Sequence, residues 1–171
     1  ATTSQASLDL SKLYTYLNGL PTNIELLYPV LFGHSQVLTP HVYLMNAATV
    51  LTDTIFLDAR GVTDAVFVIR VMGALTTGPS PQVVLVGGAQ ANNVFWQVEG
   101  AVTISGNGDF KGIILANNGE IILNTGVVLS GVAFSTNGNI TTQDVEASSP
   151  NPRTWRGSIN SEWSNADNWY P

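Results

Sequence analysis

Residues 91–143 read ANNVFWQVEGAVTISGNGDFKGIILANNGEIILNTGVVLSGVAFSTNGNITTQ, and the stretch repeats itself at an offset of 19. Asn93-Val94-Phe95-Trp96-Gln97 falls on Gly112-Ile113-Ile114-Leu115-Ala116, which falls on Gly131-Val132-Ala133-Phe134-Ser135. Gly100, Gly119 and Gly138 align, as do Val102, Ile121 and Ile140. Phe110 and Leu129 coincide ahead of the second and third copies. Glycine-punctuated units rich in β-branched residues predict a coiled β-strand stack, an irregular all-β solenoid. One coil cannot bury its own apolar face; stacked neighbours bury a continuous core.

Working upstream, Gly73-Ala74-Leu75-Thr76 matches Gly100-Ala101-Val102-Thr103, and Val66-Phe67 matches Val94-Phe95. The coils are therefore unequal in length. Short β runs are predicted at Val42–Leu44, Thr54–Leu57, Val66–Val71 and Gln82–Val86, bounded by Asn, Asp and Gly. Residues 76–81 read as a turn or a local excursion, and 21–38 as loop with one apolar piece from Leu26 to Phe32. From Ser7 to Leu20, the residues Leu10, Leu13, Tyr14, Leu17 and Leu20 recur every three or four positions. That spacing predicts one long amphipathic helix lying along a face of the stack, ended by Asn18-Gly19 and Pro21. Residues 1–6 read as a lead-in. Downstream, 1–145 read as one helix-plus-solenoid domain, 146–153 as a Ser/Pro-rich linker, and 154–171 as a tail. Three of the four tryptophans lie in that tail: Trp155, Trp163 and Trp169.

The chain has 171 residues, twelve acidic against six basic groups, a net charge of −6 and no cysteine. No basic patch exists to neutralise phosphates, which argues against nucleic acid as a partner. Disulfides, thiol nucleophiles and thiolate metal sites are excluded. No apolar run reaches membrane-spanning length.

Candidate chemistry is sparse. His34 and His41 are seven residues apart, with no Asp or Glu within four of either, so a surface placement outweighs a metal or catalytic role. Asp53, Asp58, Asp64, Asp109 and Glu120 fit turns better than the paired carboxylates that glycoside hydrolysis needs. Gly87-Gly88-Ala89-Gln90 lacks the following Lys and helix of a phosphate loop. The reading is of a protein that is not an enzyme and needs no metal or cofactor.

A lattice of side chains is the better lead. Alternate strand residues face the same way. With Leu75, Val102, Ile121 and Ile140 inward, Thr76, Thr103, Ile122 and Thr141 form an outward column. Its rise is about 4.8 Å per step. Ala74, Ala101, Glu120 and Asn139 form a second column, and Ser105 and Asn124 continue the strands on the other side. An uncharged, rigid face of regular hydroxyls and methyls suits binding to a crystal, although Thr also fits any pleated surface.

Several blocks carry a resemblance. Thr39-Pro40-His41-Val42-Tyr43, Leu51-Thr52-Asp53-Thr54-Ile55-Phe56-Leu57-Asp58-Ala59, Asp64-Ala65-Val66-Phe67-Val68-Ile69, Gly88-Ala89-Gln90-Ala91-Asn92-Asn93-Val94-Phe95-Trp96-Gln97-Val98, Phe110-Lys111-Gly112-Ile113-Ile114-Leu115-Ala116 and Ile122-Leu123-Asn124-Thr125-Gly126 resemble the microbial ice-binding protein family. The resemblance covers roughly Ala6 to Val145. It implies a discontinuous right-handed β-solenoid (β-helix), triangular in section, with a long helix beside it. It also implies secretion or cell-surface attachment, adsorption to an ice crystal surface through one flat face, and no enzymatic activity, metal or cofactor. Family members usually carry further β-segments before the helix, so an open solenoid end here invites pairing with another copy or a larger surface protein. The tail, with Thr154-Trp155-Arg156-Gly157, Trp163-Ser164-Asn165 and Asn168-Trp169, resembles tryptophan-rich segments of large bacterial surface proteins.

The sequence thus predicts an extracellular ice-binding domain acting through Thr76, Thr103, Ser105, Ile122, Asn124 and Thr141. The alternative is a strand-complemented subunit of a surface filament or adhesin with the same fold. A polysaccharide-cleaving solenoid comes third.

Overall fold

The computed structural model describes residues 3–27 and 32–149, and the backbone of two short strands at 154–155 and 169–170. Three faces wall the solenoid: A and C belong to one ten-stranded sheet, and B is a separate five-stranded sheet. Face A holds β1 (Ile24–Leu26), β3 (Val42–Met45), β6 (Phe67–Val71), β9 (Val94–Val98) and the second halves of β11 (Asp109–Ala116) and β13 (Val128–Ser135). Face B holds β4 (Thr49–Leu51), β7 (Leu75–Thr77), β10 (Val102–Ile104), β12 (Ile121–Leu123) and β14 (Ile140–Thr142). Face C holds β2 (Gln36–Leu38), β5 (Thr54–Asp58), β8 (Gln82–Val86), the first halves of β11 and β13, and β15 (Glu146–Ser148). Every stacked pair is parallel, and the coils follow one another in chain order across the described residues. Off the stack, β16 (Thr154–Trp155) pairs antiparallel with β17 (Trp169–Tyr170); the rest of the tail lies outside the described residues.

The repeat offset of 19 holds where Val102 pairs with Ile121 and Ile121 with Ile140, and along the whole of β11 and β13. It fails by one residue between β9 and β11. Phe95 pairs with Ile113 and Trp96 with Ile114, an offset of 18. Likewise Phe67, not Val66, pairs with Val94. The turn from face A to face B absorbs the missing residue, since Trp96 precedes Val102 by six positions whereas Ile114 precedes Ile121 by seven. A one-residue slip exchanges inside for outside. It is therefore Trp96 that is fully buried, while Phe95 faces outward.

Around Trp96 the core is aromatic. Phe32 meets it edge-on at 6.4 Å and Phe110 tilts against it at 4.8 Å. Its indole N–H donates to the Lys111 carbonyl at 3.0 Å, so the one polar atom carried into the core is satisfied. Leu51, Ile55, Leu57, Leu75, Val102, Ile104, Ile114 and Ile121 complete a continuous inner column. Close stacking at one corner needs glycine. A Cβ on Gly119 would overlap the backbone of Gly100, and one on Gly138 the backbone of Gly119.

Three differences from the sequence reading have physical causes. The helix α1 spans Thr3–Gly19 and so begins before Ser7. Its first turns lack an apolar period but are tied by side-chain bonds four residues apart, Gln5 to Asp9 and Ser11 to the Ser7 carbonyl. The stretch 21–38 contains β1 and β2 rather than loop alone, and β4 also lay outside the expected strands. Each is three residues long and is defined by its neighbour's ladder, a signal that does not exist locally. Glu146–Ser148, read as the start of a linker, continues the stack as β15 against β13.

Candidate functional site

The three faces differ in what they turn outward. Face A is covered. Leu17 of α1 packs with Val68 and Leu115, and Leu10, Leu13, Tyr14, Leu20, Val42 and Phe95 surround them. A polar seam fixes the helix in place. The Tyr14 hydroxyl donates to the Glu99 carboxylate, and the Asn117 side-chain amide donates to Tyr14 at 3.1 Å and to Glu99 at 2.9 Å. Arg70 donates to the Leu20 carbonyl at 3.2 Å and to Asn18 Oδ1 at 2.9 Å. Burial pushes the Tyr14 phenol up to about 12, helped by its bond to Glu99 and by that carboxylate's charge.

Face C is charged, and none of the described elements covers it. One outward column runs Thr54, Gln82, Asp109, Val128, Glu146. Beside it, Lys111 pairs with Asp109, and Val37, Phe56 and Val84 stand in register.

Face B is almost uncharged, and none of the described elements covers it. The column expected from sequence is in register: Thr76 pairs with Thr103, Thr103 with Ile122 and Ile122 with Thr141. Val50 extends it by one rung, pairing with Thr76, a member that sequence reasoning missed because β4 was missed. Thr76 and Thr141 are exposed, and Val50, Thr103 and Ile122 are half-buried by their neighbours. Beneath them Leu75, Val102 and Ile121 are fully buried. Hence Thr76, Thr103 and Ile122 each stand beside a fully buried inward residue, whereas Thr141 stands beside exposed Ile140. The second column also forms: Leu75 N–H donates to Ala101, Val102 N–H to Glu120 and Ile121 N–H to Asn139, each at 2.9 Å. Glu120 is the exposed carboxylate within that lattice.

Ser105 and Asn124 do not extend the outward lattice. Both lie at the corner between faces B and C and spend their side chains on the preceding coil. The Ser105 hydroxyl donates to the Thr77 carbonyl at 2.9 Å and the Asn124 amide to the Ile104 carbonyl at 2.9 Å. The residue after a short strand enters the turn, so alternation no longer predicts its direction.

Two of the acidic candidates serve turns, while Asp109 lies in β11 beside Lys111. Asp53 accepts the His34 and Thr54 N–H groups, and Asp58 accepts the Arg60 N–H at 2.8 Å. His34 and His41 are exposed. Among the described residues no three His, Asp or Glu side chains converge as metal ligands. None of the described helices is long and apolar enough to cross a membrane.

Comparison with known proteins bears on this geometry. A family model described as ice-binding-like matches residues 1–146. Ice-binding protein 1 of Shewanella frigidimarina is 33% identical over 142 residues, covering 81% of this chain and 16% of that protein. An ice-binding protein of a Nostoc species is 35% identical over 139 residues, covering 81% of this chain and 50% of that protein. A crystal structure of an ice-binding protein from an Antarctic Flavobacteriaceae bacterium superposes with a TM-score of 0.85 at 53% identity, covering 87% of this chain and 36% of that one. The chain thus spans half or less of the length of these relatives.

Proposed function

The chain belongs to the ice-binding-like family, and from that premise we propose that it adsorbs to ice through face B. The observation that carries this reading is the in-register column Val50, Thr76, Thr103, Ile122, Thr141, backed by buried residues from Val50 to Ile122 and paired with the column of Ala74, Ala101, Glu120 and Asn139. A solid lattice offers many equivalent weak contacts. A protein that has already paid the entropy of ordering its side chains can collect them at little further cost. The threonine hydroxyls hydrogen-bond the first water layer, and the methyls beside them take none of its bonds and leave the rest to the lattice. Face A is excluded because α1 covers it, and face C because ionised Asp109, Lys111 and Glu146 hold water in shells that do not fit a crystal. No catalytic step, metal or cofactor enters the proposal. Ice being outside cells, we place the domain outside the cell, secreted or held at its surface.

The test is an ice crystal grown in dilute protein, beside a Thr103→Tyr variant. Faceting and growth arrest that the variant loses, at an unchanged melting midpoint, is the expected result. Faceting that survives a tyrosine at the centre of the column overturns the assignment to face B.

One observation favours a second reading, in which the domain also assembles. Ile140 occupies an inward position, in register with buried Ile121, yet is 47% exposed, and among the described residues no strand pairs with the far edge of β14. An uncovered strand edge with an apolar bore is a template for strand addition. Sedimentation of the wild type and of an Ile140→Lys variant separates the cases: concentration-dependent self-association abolished by the variant supports assembly, and a monomer throughout refutes it.

A further inference from the structure

Face B is built from coils of two sizes. Its upper rungs come from long coils, Thr49 to Leu75 being 26 positions and Leu75 to Val102 being 27, and its lower rungs from coils of 19. The seam lies between β7 and β10. The other three steps of the face keep their ladder over three residue pairs, whereas this one keeps two, Leu75–Val102 and Thr76–Thr103. At the corner beyond, the other steps place a backbone N–H on a backbone carbonyl of the preceding coil: Gly78 on Leu51 at 2.8 Å, Asn124 on Ile104 at 3.1 Å, Gln143 on Leu123 at 3.0 Å. At the seam that rung is replaced. The Ser105 N–H donates to the Thr77 hydroxyl oxygen at 2.8 Å, and the Ser105 hydroxyl donates to the Thr77 carbonyl at 2.9 Å. Thr77 is 9% exposed, facing the core where the neighbouring steps put Leu51, Ile104 and Leu123.

We propose that Thr77 and Ser105 are positioning residues of the proposed ice face: their two-bond clamp keeps Thr76 and Thr103 in line across the junction of long and short coils. This rests on the assignment of ice binding to face B and goes beyond it, since Thr77 is buried and touches no ice. A hydroxyl in the core is costly unless bonded, and here it does what a backbone carbonyl does elsewhere. Removing it leaves the Ser105 N–H without its acceptor, and the corner must shift for the two to meet differently. Collecting many weak contacts on a lattice tolerates such a shift poorly, because rungs on the two sides of the seam then fit different positions.

Thr77→Val keeps the shape and removes the hydroxyl, Thr77→Ser restores the hydroxyl, and Ser105→Ala removes the other half of the clamp. Thermal hysteresis, the ice planes labelled by fluorescent protein on a single-crystal hemisphere, and the melting midpoint are read on each. The expected result is a severalfold loss of hysteresis and a change in labelled planes for Thr77→Val and Ser105→Ala. Both proteins remain folded at the assay temperature, and Thr77→Ser is close to wild type. Wild-type hysteresis and planes in Thr77→Val overturn the proposal. If that variant does not fold, retained activity in Ser105→Ala overturns it instead. A wild type with no hysteresis at all removes the underlying reading, whereas an active wild type with active clamp variants removes only the clamp.

Discussion

Faces A and B are made from the same material. Each is a ladder of parallel strands over the same buried core, and each alternates inward and outward residues. They differ in what stands outside. Face A turns out Val42, Val68, Phe95 and Leu115, bulky enough to need a cover, and α1 supplies it. Face B turns out threonines, alanines and single aliphatics at the pitch of the stack, and nothing described covers it. The backbone geometry therefore does not decide which side of a solenoid works. The size of the outward side chain does: large apolar residues recruit protein, and small amphipathic ones leave a surface open.

The strongest way to break the contrast is to make face A repel its cover. Leu17 is 2% exposed between Val68 and Leu115. Leu17→Asp should cost about 4 kcal/mol, seen as a drop of roughly 10 °C in the thermal midpoint by circular dichroism. Thr103→Tyr on face B should leave that midpoint almost unmoved while removing ice activity. The reverse pattern would mean that the two faces have been assigned the wrong way round.

A smaller effect tests the polar seam. The folded-state pKa of Tyr14 is raised from 10.0 to about 12. Above the unfolded value the unfolded chain binds fewer protons than the folded one, so stability falls as pH rises. The contribution is complete below pH 10 and is lost as pH climbs from 10.0 toward about 12. Melting midpoints across that window should fall more steeply for the wild type than for Tyr14→Phe, whose difference at neutral pH reports only the lost hydroxyl bonds. Equal slopes would show that burial and the Glu99 carboxylate do not together raise the phenol's pKa.

The smallest expected effect lies on face B. Glu120→Ala would extend the alanine column from Ala74 and Ala101 toward Asn139. Hysteresis should rise, by under about twofold, because one hydrated charge is removed from many weak contacts. A fall would mean that Glu120 contributes to the contact rather than interrupting it.

Much of this was legible in the residues, for physical reasons that also mark where legibility stopped. Gly100, Gly119 and Gly138 announce the repeat because a Cβ on Gly119 or Gly138 would overlap the glycine of the preceding coil. The Thr76, Thr103, Ile122, Thr141 column followed because those positions lie in the middle of short strands, where alternation holds. Ser105 and Asn124 were read outward and turn toward the preceding coil, because one step past a strand the direction is set by the turn. The Phe95–Trp96 block was the most distinctive in the chain, yet its register was off by one. The residue that corrects it is absorbed in the turn after Val98, where no side chain records the count. One face was expected to carry a helix, but which one was not readable: the apolar spacing of α1 says that it docks and does not say where.

The unequal coils have a further consequence. The extra length of the long coils lies where face C meets face A, in residues 59–66 and 87–93, while β11 and β13 pass the same corner without a break. Face B keeps its ladder regardless. The fold thus has an expansion joint, a corner where chain can be inserted without disturbing the working surface. A fluorescent or affinity tag introduced between Gly61 and Asp64 would be carried on the edge away from face B. The same freedom lets such a scaffold vary its outline while conserving the pitch of one wall.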